Sequence, residues 1–327
     1  TPMTELEQLI KNSNNIVITT HKGPDGDAIG SSLAMYHFFK KMNKNVAVVV
    51  PDAFPDFLKW MKGSDEVLVF ENQEEKSVQL IEQAEIIFSL DYNALNRVGA
   101  VGDYIAKASA KKIMIDHHQD TQNFADHYFV DTNCCSTAQL VYNFIKTIHQ
   151  SDLLDATIAT GIYCGIMTDT GSFRYPSTTA DTHRIIADLI DLGVENSLIH
   201  QQVFDNNSTD RLKLLGYALS NKMNVFEEKN IAYIALSKEE LKQFNFKKGD
   251  TEGLVNYPLS IKGIKMSVLL TEKEDGIRLS FRSKGDVFVN KIAQTHFAGG
   301  GHVYAAGGNS TLSLDETIQK LETLLIK

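Results

Sequence analysis

Four stretches of this chain carry side chains able to hold metal ions. His21-Lys22-Gly23-Pro24-Asp25-Gly26-Asp27 follows the run Ile16-Val17-Ile18-Thr19-Thr20. Asp91 follows Ile86-Ile87-Phe88-Ser89-Leu90, and Asp116-His117-His118 follows Ile113-Met114-Ile115. Asp169, in Gly165-Ile166-Met167-Thr168-Asp169-Thr170-Gly171, closes an apolar helical stretch. A single aspartate after a strand is ordinarily a cap or turn residue. A single histidine is ordinarily a satisfied core or surface group, and His37, His127, His149, His183, His200 and His296 are read that way. The combination is different. In an open parallel sheet the carboxyl ends of the strands share one edge, and ligands bind there. The four stretches would then converge on four or five carboxylates and two or three imidazoles. Such a cluster of like charges is unstable without compensation. Divalent cations supply it, and an oxygen-rich set with some imidazole suits Mn²⁺ or Mg²⁺ better than a thiolate-seeking metal. Two such ions about 3.5–4 Å apart form an arrangement that displaces a leaving group from phosphorus.

The elements that would position these groups are legible as alternating patterns. Strand-like runs occur at 16–18, 46–50, 67–70, 86–90 and 113–115. Helix-like spacing lies between them at 29–41 and 76–85, then at 136–148, 153–167, 179–192 and 210–223, with Gly193 as a stop for the third of these four. This reads as a parallel sheet covered on both faces. From residue 230 the pattern changes: a strand at 231–236, then strands at 264–270 and 277–281 around the hairpin signal Glu274-Asp275-Gly276. A helix over 287–297 runs into Gly299-Gly300-Gly301, and Ser313 with Glu316 opens a last helix as a capping box. The expected fold is α/β: a larger domain with a mostly parallel sheet flanked by helices (1–205), a helical linker (206–225), and a smaller α+β domain (226–327). The cleft between the two domains is the default binding site.

Composition narrows the function classes. The chain has 327 residues, 43% hydrophobic and 22% charged, which fits two globular domains rather than a disordered chain. It has no apolar run long enough for a membrane span and no apolar signal core at its start, and its three cysteines lack metal or disulfide spacing. A cytoplasmic protein without membrane partners is expected. Net charge is -9, with -11 on residues 1–220 and +2 on 221–327. Long duplex nucleic acid is therefore a poor partner, while small phosphorylated ligands remain suitable if cations bring the positive charge. Gly299-Gly300-Gly301-His302 lacks nucleotide P-loop spacing, and a glycine run alone is most often a flexible turn. Its backbone N–H groups could nevertheless approach a phosphate. Arg282 offers a bidentate fork, and His302 could contact phosphate or stack on a base. Arg97 and Arg174, shortly after Asp91 and Asp169, could clamp phosphate or make ordinary surface ion pairs. Trp60 and the Cys134-Cys135 pair are read as packing or surface residues.

These motifs, in this order, resemble the DHH phosphoesterase superfamily. Arg282-Ser283 and Gly299-Gly300-Gly301-His302 resemble the motifs of its DHH-associated C-terminal domain. The likeness covers nearly the whole chain. Within the superfamily it is most similar to bacterial bifunctional enzymes that degrade very short RNA and dephosphorylate 3′-phosphoadenosine 5′-phosphate (pAp). The resemblance implies two Mn²⁺ ions, with Mg²⁺ as the alternative. It implies His21, Asp25 and Asp91 on one ion, and Asp27, Asp91, His117 and Asp169 on the other. Asp116 would orient a neighbour, and His118 would face the scissile phosphate and assist the leaving oxygen. Arg282, Ser283, Gly299, Gly300, Gly301, His302 and Arg97 would bind substrate. The implied activity is hydrolysis of short single-stranded oligoribonucleotides to mononucleotides, and of pAp to AMP and phosphate. A linear or cyclic di-adenylate phosphodiesterase and an exopolyphosphatase-like enzyme stay open, as do a non-catalytic nucleotide-binding module and a homodimer. A family II pyrophosphatase is disfavoured by the Gly-Gly-Gly-His loop, and a RecJ-like exonuclease by the need for further domains.

Overall fold

The computed structural model describes residues 4–327. It divides into two units, one up to Asn206 and one from Asn207. In chain order the first contains α1 (Glu5–Asn12), β1 (Asn15–Thr20), α2 (Gly26–Lys41), β2 (Asn45–Val50), β3 (Leu68–Val69), α3 (Glu74–Gln83), β4 (Ile86–Leu90) and α4 (Val101–Lys107). It continues with β5 (Lys111–Asp116), β6 (His127–Val130), α5 (Thr137–Thr147), α6 (Ala156–Asp169), α7 (Ala180–Asp191) and α8 (Asn196–Phe204).

The sheet order is β3-β2-β1-β4-β5-β6, and every pairing is parallel. Strand alternation divides the apolar residues between two faces. Ile16, Ile18, Val48, Val50, Phe88, Ile113 and Ile115 pack with residues of α2, α5 and α6 such as Leu33, Phe38, Val141, Phe144 and Ile162. Val17, Val49 and Ile87 face the other way, onto Ile81, Val98, Val101 and Ile105. The sequence runs at 16–18, 46–50, 86–90 and 113–115 thus become the four central strands. The run at 67–70 shrinks to a two-residue edge pairing, and the edge strand β6, whose residues are at most half-buried, carries no comparable apolar signal.

Helices α2 and α6 cross where glycines let their backbones meet. A Cβ on Gly30 would stand 2.4 Å from the Gly161 carbonyl oxygen, and one on Gly161 would stand 2.6 Å from the Gly30 oxygen. Asp27 rides on α2 and Asp169 on α6, so this contact also sets their separation. Gly161→Ala is expected to lower stability by about 1–3 kcal/mol, because neither backbone can yield without repacking the core. An unchanged thermal unfolding midpoint would refute that account of the crossing.

The second unit contains α9 (Thr209–Tyr217), β7 (Met223–Phe226), β8 (Ile231–Leu236), α10 (Lys238–Gln243), α11 (Asn256–Leu259), β9 (Met266–Lys273), β10 (Gly276–Ser283), α12 (Asn290–His296), β11 (Gly300–Gly301), β12 (Ala305–Ser310) and α13 (Leu314–Leu325). Its sheet is mixed, in the order β11-β12-β10-β9-β8-β7, with only β8 and β9 parallel. One face packs Val268, Leu270, Leu279 and Phe281 against Ala293, Phe297 and Leu321 of the α12–α13 side. The other face packs Ile234, Leu236 and Leu269 against Leu214, Ala218, Leu241, Leu254 and Val255. The segment expected as a linker is therefore helical over much of its length but belongs to this second core through Leu214 and Ala218. α13 opens with the expected Ser313–Glu316 capping box. α12 starts at Asn290 rather than 287, and the Val289 N–H ahead of it bonds the Val303 carbonyl.

Candidate functional site

The acidic and imidazole groups singled out in the first unit sit at or beside element ends. β1 delivers the chain to His21, and the following loop is pinned twice: Lys22 N–H donates to the Arg97 carbonyl at 2.7 Å, and Gly23 N–H to Asp52 Oδ1 at 2.7 Å. Asp25 is the N-cap of α2, its Oδ1 accepting from Ala28 N–H, which leaves Asp27 in the first helical turn. Asp91 follows β4 in the left-handed region (φ 66°), a conformation that aspartate tolerates better than most residues. Strain of this kind concentrates at functional sites. Asp116 ends β5 ahead of His117 and His118, and Asp169 ends α6.

These residues meet. His21 Nε2 lies 3.3 Å from Asp91 Oδ2 and 3.7 Å from Asp25 Oδ1. His117 Nε2 lies 3.4 Å from Asp91 Oδ1, 3.6 Å from Asp27 Oδ2 and 3.3 Å from Asp169 Oδ2. The two oxygens of Asp91 thus face two different imidazoles. On the far side of each ring, Nδ1 faces a backbone carbonyl: Lys22 at 2.8 Å for His21 and Cys134 at 3.1 Å for His117. A carbonyl accepts only, so Nδ1 is the donor and, in the neutral ring, Nε2 turns a lone pair toward the carboxylates. His118 Nδ1 bonds Asp116 Oδ1 at 2.6 Å.

The N-terminus of α5 closes the arrangement. Thr137 and Ala138 N–H groups donate to Asp27 Oδ2 and Oδ1 at 2.9 and 2.8 Å, and the Thr137 hydroxyl donates to Asp91 Oδ1 at 2.9 Å. The helix end favours negative charge at this point. Thr137 escaped the reading of the sequence, although Ser136 marked the start of that helix. A threonine in a helix's first turn carries no chemical signature of its own, and only the fold brings it to Asp91.

Titration in the cluster follows burial and proximity. Burial, then the neighbouring Asp91 and Asp169 carboxylates, push the Asp27 carboxyl well up. Burial and then Asp91 and Asp25 do the same to Asp169, against the pull of His117. Burial also pushes the Asp91 carboxyl up, but hydrogen bonds from His117 and His21 outweigh it and hold that carboxyl well below its usual range. Burial lowers both imidazoles, and their carboxylate partners more than reverse this, leaving His21 and His117 well raised.

The donor set fits such cations. It offers oxygen and imidazole nitrogen without thiolate, a preference of hard or borderline divalent ions. Donors each about 2.1 Å from one ion lie about 3.0–3.4 Å apart in octahedral or tetrahedral coordination, close to the separations seen here. His21, Asp25 and Asp91 form one candidate group, and Asp27, His117 and Asp169 another. Asp116 Oδ2 is buried without a hydrogen-bond partner among the described residues.

The expected substrate residues fare unevenly. Arg97 is exposed, with its carbonyl on the loop after His21. Arg174 folds back on its own turn, Nε donating to the Gly171 carbonyl at 2.7 Å and the guanidinium lying over Tyr175. Arg282 and Ser283 are adjacent on β10 and therefore project from opposite faces. Ser283 is buried, its hydroxyl 3.4 Å from the Val303 carbonyl, so it does not share a surface with Arg282. The glycine run is not a loose turn. Gly300 and Gly301 pair with Gly307 and Ala306 as β11, and a Cβ on Gly299 would stand 1.9 Å from the Gly307 oxygen. Close backbone approach explains the glycine at 299. His302 follows in a tight turn, its N–H bonded to the Ala305 carbonyl.

Residues 15–166 match the model of the DHH family N-terminal domain, and residues 228–327 match the DHHA1 domain. A Thermus thermophilus protein named bifunctional oligoribonuclease and PAP phosphatase is 33% identical over 94% of this chain and 87% of its own length. A Bacillus subtilis protein of the same name is 29% identical over 98% of each chain. A crystal structure from Bacteroides fragilis, described as an exopolyphosphatase-related protein, superposes with a TM-score of 0.93 at 41% identity, covering 98% of this chain and 94% of that one. Sequence, fold and domain order agree: this chain belongs to the DHH family, carries a DHHA1 domain behind its catalytic unit, and is a phosphoester hydrolase.

Proposed function

We propose that the protein hydrolyses short single-stranded oligoribonucleotides to mononucleotides and pAp to AMP and phosphate, with two Mn²⁺ or Mg²⁺ ions. The observation that carries the two-ion part is Asp91, whose Oδ2 and Oδ1 face the lone-pair nitrogens of His21 and His117. His21, Asp25 and Asp91 would hold one ion, and Asp27, Asp91, His117 and Asp169 the other. When bound, such ions supply Lewis acidity, withdrawing charge from phosphoryl oxygens and making a nucleophilic water more acidic. The rest is done by the chain. Thr137 and the α5 N–H groups keep Asp27 and Asp91 aimed inward. Asp116 fixes the His118 ring through Nδ1, leaving its other edge to deliver a proton to the departing oxygen. Arg282 and His302 contribute phosphate or base contacts. The names of the full-length relatives support the substrate class, and the acidic first unit speaks against long duplexes.

The test is a competition among substrates in Mn²⁺: pAp, an RNA dinucleotide, long RNA, linear and cyclic di-adenylate, pyrophosphate and polyphosphate. The dinucleotide and pAp are expected to be consumed first, and a chelator to stop both. Preferential consumption of polyphosphate or of di-adenylate would replace this reading with that one.

A further inference from the structure

Shortly after Asp169 the chain makes a turn that most side chains oppose. Gly171, Ser172 and Phe173 all lie in the left-handed region, at φ 57°, 58° and 67°. Glycine goes there freely, but serine and above all the bulky phenylalanine resist it. Strain of this kind persists only where the surroundings over-determine it. Two supports are in place. The buried Thr170 donates its hydroxyl to the Ile166 carbonyl at 2.7 Å and accepts from Phe173 N–H at 3.0 Å. The Phe173 ring stands among three helices, its centroid 5.9 Å from Tyr163 of α6, 5.8 Å from His183 of α7 and 6.3 Å from His200 of α8. A 2.9 Å hydrogen bond between the Tyr163 hydroxyl and His200 Nε2 ties two sides of that frame together. The turn then folds back on the end of α6. Ser172 N–H bonds the Met167 carbonyl at 2.9 Å, and Arg174 and Tyr175 N–H bond the Thr170 carbonyl at 2.9 and 3.0 Å.

This matters because Asp169 is the last residue of α6 and lacks the support its partners have. Two N–H groups hold Asp27, and the Thr137 hydroxyl holds Asp91. The Asp169 carboxylate has no such donor among the described residues, and its close neighbour, His117 Nε2 at 3.3 Å, turns a lone pair toward it. Its aim therefore comes from the backbone at the helix end, and the turn defines that end. We propose that Phe173 is a positioning residue: by anchoring the left-handed turn it fixes where α6 stops, and so holds Asp169 beside His117 for the ion they share with Asp27. This rests on the two-ion reading proposed above. A phenylalanine that only filled the core would add stability and leave the ion indifferent to it.

Mn²⁺ uptake tests this apart from turnover. The full-length chain and its variants Phe173→Ala and Phe173→Gly are titrated with Mn²⁺ alone, the free ion being counted from the EPR signal of aqueous Mn²⁺. Thermal unfolding of each chain is recorded without metal. The wild-type chain is expected to take up two ions. Alanine loses the ring and still resists φ 67°, so the ion at Asp169 should bind about tenfold more weakly, the scale on which losing a ligand's support acts. The ion at His21, Asp25 and Asp91 should bind as in the wild type. Glycine loses the same ring but needs no anchor at that φ, so it should recover most of the lost affinity. Lost packing alone predicts no such rescue, because glycine leaves the larger void. Undiminished uptake of both ions by Phe173→Ala, or an equal loss in the two variants, would overturn the positioning role. If either variant lacks a thermal transition, Phe173→Leu, which keeps apolar volume but resists φ 67° as alanine does, is compared with the wild type. A smaller loss at the same ion is expected, and undiminished uptake counts against the role. Fewer than two ions taken up by the wild-type chain would instead sink the two-ion reading, and the inference with it, whatever the variants do.

Discussion

Asp91→Asn is expected to reduce kcat/KM on pAp and on an RNA dinucleotide by at least about 10³-fold, which is about 4 kcal/mol of lost transition-state stabilisation. Asparagine suits the test better than alanine for a backbone reason. Position 91 has φ 66°, which asparagine accepts and alanine resists. The amide oxygen can also keep the bond from the Thr137 hydroxyl. What disappears is the charge, and with it the proposed ability of one side chain to serve two cations. A second readout is thermal. A ligand present at 100 times its Kd stabilises the folded state by about 2.7 kcal/mol, so the wild-type unfolding midpoint should rise with Mn²⁺. The variant should show little of that rise. Near-normal turnover together with a normal Mn²⁺ response would remove Asp91 from the centre of the site.

His118→Asn should behave differently, which makes the pair informative. The side chain offers a donor to Asp116 Oδ1 at 2.6 Å, and an asparagine amide retains a donor near that position. Removing the donor outright would strand a carboxylate that is fully buried and whose other oxygen already lacks a partner among the described residues. With the fold protected in this way, the loss should fall on kcat, about 10²–10⁴-fold for a missing general acid. The Mn²⁺-dependent rise in unfolding midpoint should survive. If that rise vanishes along with activity, His118 is a metal ligand. If kcat is unchanged, the leaving oxygen takes its proton elsewhere.

Much of the first unit was legible because its signals are local. The runs 16–18, 46–50, 86–90 and 113–115 are rich in isoleucine and valine and are buried on both faces, so their strand character needs no partner to be recognised. The edge strand β6, His127–Val130, is at most half-buried and was missed. β12, Ala305–Ser310, was missed for a different reason. Ala-Ala-Gly-Gly-Asn-Ser has almost no strand propensity, and it is a strand because β10 on one side and the glycines of β11 on the other bond to it.

Residue type and spacing marked which groups were candidate ligands. Asp25, Asp27, Asp91, His117 and Asp169 are recognisable by type, by spacing and by standing at the ends of apolar runs, since chemistry of this kind needs particular side chains wherever they lie. Orientation was beyond the one-dimensional record. That Asp91 aims one oxygen at each imidazole, that Thr137 secures it, and that Ser283 turns inward while Arg282 turns out are consequences of chain segments far apart in number meeting in space. Direction is a property of packing: a side chain points where its backbone and neighbours leave room, and those neighbours exist only after the sheet has closed.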